Sequence, residues 1–380
     1  MAWAEGRFSY SRRRLRTRPC RFSAAGLVQF YFDLACAMTY RPHGPTGSTD
    51  HAEPSMATQH SIDSEGSGHG MFKRFDESHA QLVNFFPDLT FVSPEDARSD
   101  EVLSTSVAIV DQLCRSFFAY RSSQVHGVWG IENSYDENAF VSTLNGCSSI
   151  VITRGACVRL ARVGNFFATH DWISNSERMR PFHDAIDVPR NRLGEAAQML
   201  GLAALFGHEV GHVMDRHNVH SIAGQKQEAQ LGEEISADGR AILHGLDIVD
   251  AWAHSLATGH ESEQDAIKQA GAVLLVIANA AIDSIHLDRS WDVPANQTHP
   301  PGAQRLLATC IMLDQYFDGV AEEGFGLKVF LTALSGLKEM GIYHGPVEEE
   351  ALRQLLAIYD SAAVVAQYNA LQATLIERGL

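Results

Sequence analysis

Residues 199–217 read MLGLAALFGHEVGHVMDRH, and this stretch decides the fold because it joins an apolar run to a metal-binding pattern. The run from Met199 to Phe206 contains only apolar residues and glycine, which predicts a helix that enters the core. His208 and His212 are four residues apart, so on a helix both imidazoles lie on one face. The stretch therefore predicts a buried helix that ends in two adjacent histidines.

The pattern HExxH is formed by His208, Glu209 and His212. Two imidazoles at this spacing can bind one Zn²⁺ at about 2.0–2.1 Å. Glu209 follows the first histidine and can hold a water molecule whose pKa the metal lowers towards about 7. Gly211 has no side chain, so it leaves room on the helix beside the metal. The pattern predicts one zinc ion per chain, with Glu209 as the general base.

A third metal ligand must come from elsewhere in the chain. Asp215 and Asn218 stand where the metzincin pattern requires glycine and histidine, which excludes that class. Glu234 and Asp238 are four residues apart in the segment EISAD, so they share one helix face. One of them can bind the metal, while the other accepts the free N–H of a ligand histidine and fixes its tautomer. Ala237, between them, lets the two helices approach.

Several further segments occur in the order of a known family. They are HEVGHVMDRH at 208–217, EISAD at 234–238, THPP at 298–301 followed by Arg305, NAF at 138–140, and SIVITRG at 149–155. Over residues 136–310 the chain resembles the HtpX-like and CAAX-prenyl-protease-like zinc metallopeptidases, including their soluble members. The transmembrane helices of the HtpX-like members have no counterpart here, so a membrane-protein substrate is not carried over.

The resemblance implies a role for each matching residue. The implied zinc ligands are His208, His212 and Glu234, with Glu209 as the general base and Asp238 as the acceptor from a ligand histidine. His299 and Arg305 would lie across the cleft and stabilise the oxyanion of the tetrahedral intermediate.

A substrate-binding strand is also implied. Gluzincins bind substrate as an added strand along an exposed sheet edge beside the metal. We expect the run Ser149, Ile150, Val151, Ile152 and Thr153 to be this edge, although an ordinary core strand has the same composition.

The expected fold class is α+β and mainly helical, a zincin-like metallopeptidase domain with a small sheet near residues 128–155. Helical spacing predicts helices over 96–122, 192–216, 228–243, 262–286, 301–317, 329–340 and 347–376. Residues 1–71 are expected to be a disordered or targeting tail, 72–318 the metallopeptidase domain, and 319–380 a helical extension. The stretch 163–194 looks longer than in the family and is either a lid or a surface insertion.

Charge separates the N-terminus from the rest of the chain. The net charge is −16, but residues 1–21 contain seven arginines and one glutamate, so the remaining chain carries −22. An acidic body excludes a nucleic-acid-binding role and favours neutral or basic peptides. No apolar run is long enough to span a bilayer, and GAVLLVIANAAI at 271–282 is expected to be a buried helix.

The N-terminus has several interpretations. Ser11 to Leu15, SRRRL, resembles a twin-arginine export signal, although Asp33 interrupts the apolar stretch that follows. An organelle presequence and a start at Met56 or Met71 are alternatives. We expect a cytoplasmic protein, with the periplasm as the alternative. Six cysteines without a CxxC pair predict reduced, partly buried thiols.

The function expected from these residues is zinc-dependent hydrolysis of peptide bonds in protein or peptide substrates. One alternative is a dedicated toxin or phage-exclusion protease of the Lit type, which would cleave a single partner. Another is a non-catalytic, zinc-stabilised peptide-binding module. Glu209 separates this last alternative from an enzyme, because a structural zinc site needs no base beside the metal.

Overall fold

The structure is a computed structural model that describes residues 72–116, 127–186, 189–214, 227–257, 260–282, 302–322, 324–345 and 347. Within these ranges, one small sheet is surrounded by helices. The strands are β1 (Gly127–Glu132), β2 (Ala139–Leu144) and β3 (Cys147–Thr153). The helices are α1 (Phe75–Phe85), α2 (Pro94–Ser99), α3 (Glu101–Ser116), α4 (Arg154–Thr169), α5 (Trp172–Asn175), α6 (Arg180–Asp184), α7 (Arg190–Met214), α8 (Gln227–Leu256), α9 (Glu261–Ile282), α10 (Gly302–Tyr316) and α11 (Phe325–Glu339). The predicted α+β, mainly helical class is confirmed.

The three strands lie in the order β1–β3–β2. β3 pairs in parallel with β1 and antiparallel with β2. Asn145 and Gly146 connect β2 to β3 with φ angles of 53° and 77°, as a two-residue hairpin turn requires. The outer side of β1 is bridged at Phe72 and Phe91. Among the described strands, β2 is therefore the one with an open outer edge.

The prediction that Ser149–Thr153 forms the exposed edge is wrong. These residues belong to β3, whose backbone is paired on both sides. All five are buried, from Ser149 at 0% to Thr153 at 3% exposure. An apolar run without alternation is typical of a strand covered on both faces. Because β3 is also paired along both edges, it has no free row of N–H and C=O groups for a substrate.

The long helix α7 lies at the centre of the fold. It packs against α4, α8 and α9, and every residue from Met199 to Gly207 is buried. A helix that is apolar all round needs neighbours on all sides, which explains its central place. The apolar run therefore brings the HExxH residues to the end of a fully packed segment.

Helix α9 is the one described helix that is long and apolar enough to cross a membrane. Inside the protein, 72% of its most apolar window is buried, as expected of a core helix. The prediction of a buried helix at 271–282 is confirmed, because every residue of that run except Asn279 is buried.

Some predicted helices have different bounds. The predicted helix over 96–122 is divided at Asp100, whose Oδ1 accepts from the backbone N–H groups of Val102 and Leu103 at 3.0 and 3.1 Å. This side chain caps the start of α3. Helix α8 continues to Leu256, beyond the predicted end at 243. The predicted helix over 347–376 lies outside the described residues, apart from Val347.

The stretch 163–194 contributes to the core. Phe167 and Phe182 are buried, and the Phe182 ring packs edge-on against Phe325 with centroids 6.3 Å apart. Phe325 in turn contacts Phe317 at 5.1 Å. The described residues on both sides of the predicted boundary at 318 therefore share one core, and α11 packs into it.

Candidate active site

Close contact between α7 and α8 builds the site. A Cβ atom added at Gly211 would lie 3.0 Å from Cα of Ala237, and one added at Gly207 would lie 3.4 Å from Cα of Ala241. The two glycines and the two alanines each recur at a spacing of four, so small side chains face each other along both helices. This contact brings the next residues, His208 and its neighbours, against α8.

Three potential metal ligands converge at this contact. Nε2 of His208 lies 3.0 Å from Nε2 of His212 and 3.4 Å from Oε2 of Glu234. The other carboxylate oxygen, Oε1 of Glu234, lies 3.5 Å from Nε2 of His212. A tetrahedral zinc ion with bonds of about 2.0–2.1 Å places its ligand atoms roughly 3.3–3.4 Å apart. Two imidazoles and one carboxylate also form a donor set that suits zinc. The three side chains therefore fit one metal ion.

Asp238 lies behind the ligand His208. Its Oδ1 is 2.9 Å from Nδ1 of His208, on the opposite side of the ring from the metal-facing nitrogen. Burial lowers the pKa of His208, but the carboxylates of Asp238 and Glu234 outweigh burial and raise it to about 10. With so high a pKa both ring nitrogens carry a proton when no metal is bound. A carboxylate beside Nδ1 favours the proton on that nitrogen, so a metal that binds at Nε2 has to displace only the other one.

Arg305, on α10, holds Asp238 in place. Its Nε donates to Oδ2 of Asp238 at 2.7 Å, and its Nη2 donates to Oδ1. Burial alone would raise the pKa of Asp238, but the Arg305 guanidinium holds it well below its usual range. A bidentate ion pair of this kind fixes both the position and the orientation of the Asp238 carboxylate. Arg305, Asp238 and His208 thus form a chain that ends at the candidate metal site.

Glu209 is buried beside these ligands, with 5% of its surface exposed. Burial raises the pKa of its carboxyl to about 7. A carboxyl group with a pKa near neutral pH can both accept and return a proton. The residue therefore has the environment of a general base.

A cavity of about 550 Å³ opens onto His208 and Glu209. Its walls come from the β1–β2 connection, the start of β2, and helices α4, α7, α9 and α10. The lining residues are Tyr135, Asp136, Glu137, Asn138, Ala139, Phe140, Arg159, Leu205, His208, Glu209, Asn279, Ile282 and Arg305. No described residue of 163–194 lines this cavity, and several side chains of the stretch belong to the core.

Thr153 holds one wall of the cavity in place through hydrogen bonds to Asn138. Its Oγ1 lies 2.8 Å from the carbonyl oxygen of Asn138 and accepts from the backbone N–H of Asn138 at 3.0 Å. Nε of Arg159 donates to Oε2 of Glu137 at 2.7 Å, which ties the same wall to α4. The contribution of Thr153 is thus to fix residues 136–138, whereas substrate contact at Thr153 itself is excluded by its burial.

The predicted site residues divide into four groups. The structure brings His208, His212, Glu234, Asp238 and Glu209 together. It places Arg305 against Asp238, whereas the resemblance implied a direct role in oxyanion stabilisation. Residues 149–153 form the central strand and not the edge strand that was predicted to bind substrate. His299 lies outside the described residues.

The sequence reasoning missed several cavity residues, among them Glu137, Arg159 and Asn279. Glu137 and Arg159 carry no local signal, because their pairing depends on the fold. Asn279 did have a signal, since it is the single polar residue in the run GAVLLVIANAAI.

A sequence model described as Peptidase U49 matches residues 168–318. This range includes α7, α8 and Arg305, and so all five residues that meet at the site. The match supports a peptidase. No curated protein and no solved structure matches the chain. The resemblance to HtpX-like and CAAX-prenyl-protease-like enzymes is not part of this match and stays a prediction.

Replacing Arg305 with methionine is expected to weaken metal binding and activity roughly 10–100-fold, as loss of an outer hydrogen-bond partner usually does. The substitution leaves the Asp238 carboxylate buried without its cation, so it no longer orients His208. Zinc affinity, measured by competition with a chromophoric chelator, tests this. Arg305→Lys is expected to be intermediate, because lysine keeps the charge but not the planar fork.

Arg192→Met is the matched control for this prediction. Arg192 forms an ion pair with Glu195 at 3.1 Å, and neither residue lines the cavity. Both side chains are more than a third exposed. This variant should keep full zinc affinity. Unchanged zinc affinity in Arg305→Met would show that Asp238 orients His208 without its partner.

Proposed function

We propose that the protein is a zinc-dependent endopeptidase of the gluzincin type, related to the HtpX-like and CAAX-prenyl-protease-like enzymes. The observation that carries the proposal is the spacing of 3.0, 3.4 and 3.5 Å among the donor atoms of His208, His212 and Glu234, with Glu209 buried next to them. The peptidase match over 168–318 supports the same reading.

His208, His212 and Glu234 would hold the zinc ion, and Asp238 and Arg305 would keep His208 oriented. A bound zinc ion makes water more acidic and polarises a carbonyl group. Glu209 takes the proton from the attacking water and later delivers it to the amine that leaves. The low polarity around its buried carboxyl favours this exchange near neutral pH, because it brings the pKa to about 7.

The substrate backbone would bind along β2 and not along β3. Asn138, Ala139 and Phe140 line the cavity beside Glu209, and β2 has the open edge among the described strands. An extended peptide that adds to this edge gains main-chain hydrogen bonds. The predicted mode of substrate binding is therefore retained, but on the neighbouring strand.

A purely structural zinc site is disfavoured by the cavity. Structural zinc sites are closed by four protein ligands, whereas this cluster has three among the described residues and faces a cavity of about 550 Å³. A protease with one dedicated protein substrate is compatible with the same residues, and it would use the same chemistry.

Removal and return of the metal test the proposal. The protein should bind one zinc ion per chain, cleave casein, lose cleavage after treatment with a zinc chelator, and regain it when zinc is added. A thermal-unfolding readout is independent of activity. Zinc at 100 times its Kd is expected to raise the free energy of unfolding by about 2.7 kcal/mol.

Two outcomes would count against the proposal. Casein cleavage that persists in the metal-free protein would exclude the zinc mechanism. Zinc binding without stabilisation would exclude the site formed by α7 and α8, because a site that exists only in the folded protein must stabilise it.

A further inference from the structure

Asn279 is an unusual residue in α9. It is the single polar side chain in the run 271–282, and the single residue of that run that is not fully buried. Its side chain faces the cavity that contains Glu209 and His208. No hydrogen bond joins this side chain to any residue that the structure describes. An amide group is thus presented to the cavity with its donors and its acceptor available.

Packing alone does not account for an asparagine at this position. Asparagine is a weaker helix former than leucine or alanine, and its neighbours Ala278 and Ala280 are buried core residues. A half-buried amide without a partner also costs stability. Residues that cost stability in this way are typical of functional sites.

The surroundings of Asn279 restrict what it can bind. Leu205 and Ile282 line the cavity with it, and these apolar groups disfavour a fully charged ligand group. An acidic ligand is disfavoured further, since the cavity contains the carboxylates of Asp136, Glu137 and Glu209. The two arginines that line it, Arg159 and Arg305, are each already paired with a carboxylate.

A neutral group that both donates and accepts therefore complements Asn279 best. We propose that Asn279 determines specificity by hydrogen-bonding the side-chain amide of a substrate glutamine or asparagine, whose carbon stem packs against Leu205 and Ile282. The proposal rests on the proposed peptidase function, because the cavity is taken to be the substrate cleft. It adds a substrate class that neither the metal ligands nor the net charge of the chain indicates.

Peptide binding tests the proposal without requiring turnover. The probes are two sets of capped peptides in which glutamine or leucine is moved through each position of a constant Ala-Ser sequence. The protein is the zinc-loaded Glu209→Gln variant, alone and combined with Asn279→Leu. Affinities are measured by fluorescence anisotropy. At one position, Glu209→Gln should bind the glutamine peptide roughly tenfold more tightly than the leucine peptide, and Asn279→Leu should abolish or reverse this preference.

The melting temperature and a control variant distinguish a specific role of Asn279 from a general loss of structure. Asn279→Leu should raise the melting temperature by roughly 2 °C, because an apolar residue replaces a half-buried amide that has no hydrogen-bond partner among the described residues. Gln269→Leu makes the same amide-to-leucine change on α9 at a partly buried position outside the cavity lining. This control should leave the glutamine preference intact.

The outcomes separate the inference from the proposed function. Equal binding of glutamine and leucine peptides at every position, or an equal loss for both sets in Asn279→Leu, would overturn the role of Asn279. Casein cleavage by the wild-type protein with no such preference contradicts the inference alone. An amide preference that depends on Asn279, in a protein that never cleaves peptides, contradicts the peptidase function alone.

Discussion

Glu209→Gln is expected to lower kcat for peptide cleavage by at least about 100-fold, and up to about 10⁴-fold, the usual contribution of a general base. Glutamine has nearly the same shape as glutamate but cannot take a proton from water. Glu209 is not among the three clustered donor residues, so the variant should still contain one zinc ion per chain. The measurements are the zinc content and the rate of casein cleavage, made on the same preparation.

Glu195→Gln is the control on the same helix. Glu195 lies on α7, outside the cavity lining, and pairs with Arg192. Its replacement should leave both kcat and zinc content unchanged. Near-normal cleavage by Glu209→Gln would exclude Glu209 as the base, and loss of zinc in that variant would mean that Glu209 itself contributes to metal binding.

Glu234→Ala should cause the largest loss of metal. It removes one of three converging donors, so zinc affinity should fall by more than the roughly 10–100-fold expected for an outer partner. Asp238→Asn should stay within that smaller range, because Asp238 contacts Nδ1 of His208 and not the metal-facing nitrogens. Zinc affinity of both variants, measured by the same chelator competition, distinguishes the two carboxylates.

Glu233→Ala is the control for this comparison, since Glu233 is next to Glu234 but outside the cluster. It should bind zinc as tightly as the wild type. The reverse order, with a greater loss in Asp238→Asn than in Glu234→Ala, would exchange the roles of the two carboxylates.

The sequence alone predicted the parts of the fold that depend on local pattern. The apolar run predicted a helix over 192–216, and α7 begins within two residues of the predicted start, whereas residues 215 and 216 lie outside the described residues. The same pattern could not predict that β3 is the central strand. A strand flanked by two others and a strand that has one free edge have the same side-chain alternation, and only pairing distinguishes them.

In the candidate site, too, some features follow from sequence and others depend on tertiary packing. A spacing of four on one helix places His208 beside His212, and Glu234 on the same face as Asp238, so each pair follows from sequence through helix geometry. Which carboxylate faces the two histidines depends on how α7 and α8 cross, and that crossing is set by the close contact of Gly207, Gly211, Ala237 and Ala241.

The partner of Arg305 and the surroundings of Asn279 were decided by the tertiary structure. Arg305 is separated from Asp238 by 67 residues, and nothing local indicates that its guanidinium holds that carboxylate. Asn279 is the one polar residue of an apolar run, and only the fold places it in the wall of the cavity. Sequence determines which side chains share one helix face, because the helical repeat is local. The chemistry between different helices is decided by tertiary packing, because packing sets their separation and rotation.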